Sequence, residues 1–182
     1  IPLDHVVLGS AEDNMVEGDR LRLLFDIAGH VEQGLRVFGR RNLPVADFLA
    51  KAHPETSLLP LYLVVHDGIE TPIHSAEELA ARQGGDSPLP GTVIELPEVH
   101  SLNKHLANLK TEFGLTVETL LPIQVTGDEP PPRFILHREG DEHPLLDLRS
   151  LVGTVRRLGE KGMKITRFKG LGEMDAEQLW ET

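Results

Sequence analysis

Residues Ile165–Thr182 read ITRFKGLGEMDAEQLWET, and the order of residue types in this run decides what kind of fold closes the chain. From Met163 to Phe168 polar and apolar side chains alternate, as they do along a half-buried strand. Gly170 and Gly172 free the backbone to turn sharply and leave no Cβ in the way of a ligand. Asp175, followed three residues later by Gln178, is a capping-box pattern that starts a helix at Ala176. The turn therefore lies between a strand end and a helix N-terminus, where αβ folds gather ligands. Lys169 and Arg167 offer cations to a phosphate there. Spacing alone favours a plain connection that uses Gly for turning and Lys for solubility, since short Gly-Lys turns are common.

A resemblance separates those readings. The sequence from Arg167 through Met174 and then Glu177-Gln178-Leu179-Trp180-Glu181-Thr182 closely resembles the signature that ends the metal-binding Toprim domain of bacterial DNA gyrase B subunits. Related topoisomerase IV subunits carry a similar run. The resemblance implies that the turn lies beside a DNA-cleavage site. It makes Arg167, Lys169, Gly170, Gly172 and Lys164 candidate contacts to the DNA backbone. Glu173 is expected beside the turn as a structural or electrostatic partner of Lys169. For the parent enzyme the resemblance implies ATP-dependent passage of one duplex through a break in another. It also implies a gyrase A subunit that supplies the nucleophile, and Mg²⁺ held by Toprim carboxylates. This segment is expected to hold neither ATP nor Mg²⁺, to contain no catalytic residue and to be inactive in isolation.

Charge is distributed unevenly. The 182 residues carry a formal net charge of −11, which opposes general nucleic-acid binding, because phosphates need a basic footprint. Between Arg149 and Lys169, however, seven basic residues (Arg149, Arg156, Arg157, Lys161, Lys164, Arg167, Lys169) face the single acid Glu160. Any DNA contact is expected from this last quarter. Apolar content of 40% fits a soluble globular chain, and an aromatic content of 4% leaves the core to Leu, Val and Ile. No apolar run approaches the roughly 20 residues that span a bilayer. The absence of Cys excludes thiolate chemistry and fits a reducing cytoplasm. No signal peptide is expected at Ile1, and a chain that stops inside a predicted helix at Thr182 is expected to be a piece of a longer one.

Working upstream, Asp147–Lys161 reads as a helix with Leu148, Leu151, Val152, Val155 and Leu158 in one stripe. Leu120–Val125 and Phe134–His137 read as strands joined through Pro130–Pro132. Ser101–Phe113 reads as a helix stopped by Gly114. Thr92–Leu96, Leu58–Val65 and Glu70–His74 read as strands, the last two as a hairpin, and Ser75 with Glu78 caps a helix through Arg82. Pro44 opens a short helix over Val45–Ala52, and Glu17–Arg41 reads as one long amphipathic helix after a strand at Val6–Leu8. The fold class is α+β: mixed helices and short, mostly antiparallel strands, ending in a Toprim-type strand-turn-helix. The order of segments is similar to a gyrase B insertion, so residues 1–140 are expected to form an insertion-like domain and 141–182 the end of the Toprim domain.

Other patterns point away from chemistry. Glu17-Gly18-Asp19 imitates a Toprim Glu-Gly-Asp motif but leads into Arg-Leu-Arg, so it reads as the acidic first turn of a helix. No Asp-x-Asp pair is present, and Asp4, Asp13, Asp67 and Asp86 stand apart. Nine His residues invite a metal site. His100 and His105 lie five apart and diverge on a helix, whereas His66/His74 and His137/His143 could meet across hairpins. Surface histidines read better than ligands, and Trp180 reads better as core packing than as a base-stacking platform. A stand-alone acidic protein-interaction domain also accounts for the charge and the missing chemistry, but leaves the eighteen-residue run without a reason.

Overall fold

The computed structural model describes residues 3–9, 14–40, 44–84, 88–123 and 130–162, with backbone alone for 40 and 160–162. Its centre is the helix α1, Gly18–Arg40. Leu21, Leu24, Ile27, Ala28, Val31, Leu35 and Phe38 recur at three- and four-residue steps and are all buried. So wide a stripe is covered from several sides at once, by α4 (Glu98–Phe113), α5 (Leu148–Gly162) and the short α2 (Val45–Leu49). Phe38 stacks on Phe48 of α2 with ring centroids 4.7 Å apart.

Two antiparallel sheets complete the body. One has the order β2-β1-β6-β7, built from Met15–Glu17, His5–Leu8, Phe134–Arg138 and Asp141–Leu145. The other, β4-β3-β5, is built from Ile69–Ile73, Tyr62–His66 and Thr92–Glu95. Both hairpins close on two residues with positive φ, Asp67-Gly68 (49°, 77°) and Glu139-Gly140 (54°, 89°). That is the tight turn whose twist matches the strands it joins, and Gly at the second position carries the conformation without strain. An eight-residue helix, α3 (Ala76–Gln83), hangs from the second sheet. The Ser75 hydroxyl accepts the Glu78 N–H at 3.0 Å, and the Glu78 carboxylate reaches back to the His74 N–H at 2.9 Å. The expected cap is therefore present, with its return bond one residue further upstream than in the usual box.

The second sheet is tied to the helices through one amide. Asn103 on α4 accepts the Leu59 N–H at 2.8 Å and donates to the Leu59 carbonyl at 2.9 Å, replacing the ladder a neighbouring strand would supply.

Three expectations change. Leu120–Val125 is not a strand where described: Val117–Leu120 is a 3₁₀ turn, and both ends of it, Val117 and Leu120, are buried. Three-residue spacing matches that turn, and Thr119 closes it by donating both its N–H and its hydroxyl to the Thr116 carbonyl. The partner of β6 is instead β7, beyond Glu139-Gly140, in the register His137↔Glu142. Glu17 belongs to strand β2 rather than to the first helical turn, and the chain reverses at Gly18 (φ 57°) before Asp19 opens α1. Helix α4 begins three residues earlier than expected, at Glu98, and stops at a left-handed Gly114 as expected.

Helices α1 and α4 run antiparallel: Gly34 lies against Leu102, His30 stacks on His105 at 4.7 Å, and Arg20 sits over the Phe113 ring at 5.5 Å. A Cβ on Gly34 would come within 3.1 Å of Leu102 Cδ1. Gly34→Val is therefore expected to force the helices apart and lower stability by about 1–3 kcal/mol. Gly153 on the exposed side of α5 meets nothing within 4 Å, so Gly153→Ala is expected to add up to about 1 kcal/mol. Denaturant midpoints of the two variants against the parent chain check both signs. At the same seam, burial, His30 and Lys104 push the His105 imidazole below its ordinary 6.5, with Asp26 opposing them. A lowered folded value means the unfolded chain takes up the proton first, so stability is full above pH 6.5 and declines as pH falls below it. His105→Gln should flatten that decline in thermal melts between about pH 7 and 5.

Candidate nucleic-acid interface

The basic quarter of the sequence enters the described structure as α5. Asp147 opens the helix: its carboxylate accepts the Ser150 N–H at 2.7 Å and the Ser150 hydroxyl at 2.8 Å. Leu148, Leu151, Val152 and Thr154 are buried, with Val155 and Leu158 half-buried beside them. The remaining arc exposes Ser150, Gly153, Arg156 and Arg157. The helix is thus amphipathic in a particular sense, apolar inward and cationic outward.

Three contacts fix how that arc is presented. Arg149 Nε donates to Glu32 of α1 at 2.9 Å, and Arg36 Nε approaches the other oxygen of the same carboxylate at 3.4 Å. The Glu32 side chain is only 12% exposed, so both guanidinium groups compensate a carboxylate largely removed from water. Toward the far end, Arg138 Nη1 donates to the Leu158 carbonyl at 3.3 Å, tying α5 to β6. Arg149 is therefore neutralised inside the fold. Arg156 and Arg157 have no ion pair among the described residues; Arg157 makes only a 3.4 Å hydrogen bond to the Thr154 hydroxyl.

The sequence-predicted contacts Lys164, Arg167, Lys169, Gly170 and Gly172, and their partner Glu173, lie outside the described residues, as do Leu171, Leu179 and Trp180. The structure brings none of the suspected metal pairs together. His137 and His143 occupy different pairs of the β6–β7 ladder, with Glu142 and Leu136 opposite them, and so face opposite sides of the sheet. His66 and His74 stand at opposite ends of the β3–β4 hairpin, His66 beside Asp67 at 3.3 Å and His74 with its Nε2 3.0 Å from the Lys51 carbonyl. The ring pairs that do form, His5 with His137 and His53 with His74, cross between segments far apart in sequence, which no local spacing signals. Among the described residues no three His, Asp or Glu side chains converge as metal ligands. Asp4 spends its carboxylate on the Glu139 N–H at 2.8 Å.

One cleft of about 370 Å³ opens between β2, α1 and the end of α4. Its guanidinium, Arg20, is already committed to the Glu112 carbonyl at 2.9 Å and to the Phe113 ring. It carries no acid–base pair. No described helix is long and apolar enough to cross a membrane.

Residues 160–182 match the family described as DNA gyrase B subunit, carboxyl terminus. Over 183 aligned residues the chain is 27% identical to the DNA gyrase B subunit of Chlamydia pneumoniae, an alignment that covers 97% of this chain and 22% of that protein. It is 31% identical to the Chlamydia muridarum gyrase B protein over half of this chain and 11% of that protein. With the Rickettsia prowazekii gyrase B protein it shares 53% identity over 38 residues, 21% of this chain and 5% of that protein. The chain therefore spans about a fifth or less of the length of these relatives. No solved structure matches it.

Proposed function

We propose that this chain is a segment of a DNA gyrase B subunit and serves as a non-catalytic scaffold that positions duplex DNA within an ATP-dependent type II topoisomerase, a reading supported by the match of residues 160–182 and by the similarity to gyrase B proteins along the chain. In that reading the parent acts in the cytoplasm with a gyrase A subunit and supercoils DNA by double-strand passage. ATP and Mg²⁺ are bound elsewhere in the parent, at carboxylates and loops that this segment does not contribute. What this chain supplies is an acidic body that fixes the direction of α5, and a basic run after it.

The observation that carries the reading is the match of residues 160–182, where Lys164, Arg167 and Lys169 are concentrated around Gly170 and Gly172. Cations and glycines in that order suit a backbone that approaches phosphates closely. Glu173 restrains Lys169 electrostatically in this reading and takes no part in chemistry. We divide the chain by kinship at residue 140, into an insertion-like part and the returning end of a Toprim domain. Gly140 lies in the β6–β7 turn, so the returning segment adds β7 to a sheet whose other strands come from the first part. A stand-alone acidic interaction domain is not favoured, because it gives no reason for the family match.

Salt-dependent duplex binding by the full chain tests the proposal. Weak binding that falls steeply with salt and is lost in Lys169→Glu is expected, since each phosphate contact contributes a log–log slope of about −0.9. Duplex binding unchanged by Lys169→Glu would overturn the site assignment. No binding at any salt would overturn the DNA-positioning role itself.

A further inference from the structure

The cationic arc of α5 has a feature that the fold does not use. Two exposed helix arginines elsewhere in the body pair with nearby acids: Arg22 with Asp19 at 3.2 Å on α1, and Arg82 with Glu78 at 3.1 Å on α3. On α5 the residues from Leu148 to Gly159 include three arginines and no acid. One of the three, Arg149, is consumed by Glu32. The other two stay exposed on a chain whose net charge is −11, where acids to pair with are abundant. Between them and Arg149 on the same arc sits Gly153, an exposed mid-helix glycine that meets no neighbour within 4 Å. A mid-helix glycine costs about 1 kcal/mol relative to Ala and here has no packing reason. Its absent side chain leaves level ground between the cations, over which a polyanion's backbone can pass close to the helix.

From this we propose that Arg156 and Arg157 form a second duplex-backbone contact, which orients DNA on α5 ahead of the Lys164–Lys169 run. The inference rests on the DNA-positioning reading above and extends it onto a rigid element. Guanidinium groups are suited to this task because they can fork onto phosphate oxygens, and phosphate contacts set register and orientation without reading sequence. The contact is accordingly independent of base sequence. Its rigidity comes from the Glu32–Arg149 tie at one end of α5 and the Arg138–Leu158 bond at the other, which hold the arc against the body.

The test compares the full chain, Arg156→Gln/Arg157→Gln, and a control of equal net charge, Arg22→Gln/Arg82→Gln, on a mixed-sequence duplex from low to moderate salt. The α5 variant is expected to lose affinity and to bring the log–log salt slope about 2 closer to zero, one contact per arginine, while the control keeps the parent slope. Thermal melts that coincide for all three chains exclude a folding effect. A parent slope in the α5 variant, with Lys169→Glu still abolishing binding, overturns this inference and leaves the DNA-positioning reading intact. Equal losses in the α5 variant and the control overturn it too, because net charge rather than a site then governs binding. Absence of duplex binding by the parent chain overturns both.

Discussion

The burial of α1 is the constraint on which the rest of the structure depends. Its apolar stripe extends from Leu21 to Phe38 and is wide enough to need α4 on one flank, α5 and α2 on others, and the first sheet at its start. Full burial of aliphatic and aromatic side chains is the main favourable term in a body with so few aromatic residues. The α1–α4 seam is close because Gly34 admits Leu102, and its antiparallel sense is recorded in three successive contacts from Arg20–Phe113 to Gly34–Leu102. Once α4 is fixed, Asn103 brings the Leu59 segment and with it the second sheet.

The same helix governs the functional surface. Glu32 projects from α1 toward α5, and a mostly buried carboxylate is tolerable only with its charge compensated. Arg149 meets that need, which orients α5 and turns its arginine-bearing arc away from the core. Electrostatics inside the protein thus selects which arginine is structural and which remain available. Acidic residues elsewhere on the surface repel a polyanion, so under the proposed DNA-positioning role the net charge is consistent with a basic strip on one side.

Much of this was legible along the chain. Leu24, Val31 and Leu35 repeat at helical spacing and are core residues of α1; Ser75 and Glu78 announce the cap of α3; Gly114 marks the end of α4. Such signals are local, and local chemistry carries them. The partner of β6 was missed although Glu139-Gly140 is a two-residue hairpin turn, because β7 reads Asp-Glu-His-Pro-Leu and lacks the apolar alternation that advertises a strand. An edge strand half in solvent needs no such alternation, and its charges and proline discourage further pairing. Leu120 failed in the opposite way, since an apolar run looks the same whether it alternates across a sheet or turns at three-residue spacing.

By itself, the sequence determined the α+β class, the helical stripes, the caps, the location of the basic residues and the resemblance to gyrase B proteins. Each of these is written in spacing or in residue identity within a few turns of chain. Tertiary structure alone decided which of the arginines of α5 pairs with an acid among the described residues. Arg149, Arg156 and Arg157 are equivalent in sequence, and only the arrival of Glu32, 117 residues upstream, makes one of them an internal tie and leaves two facing water. The histidines follow the same logic: His30 meets His105 and His5 meets His137 because helices and strands from distant segments share a core. Charge and burial at such positions are properties of what packs nearby, and the chain cannot express them until it has folded.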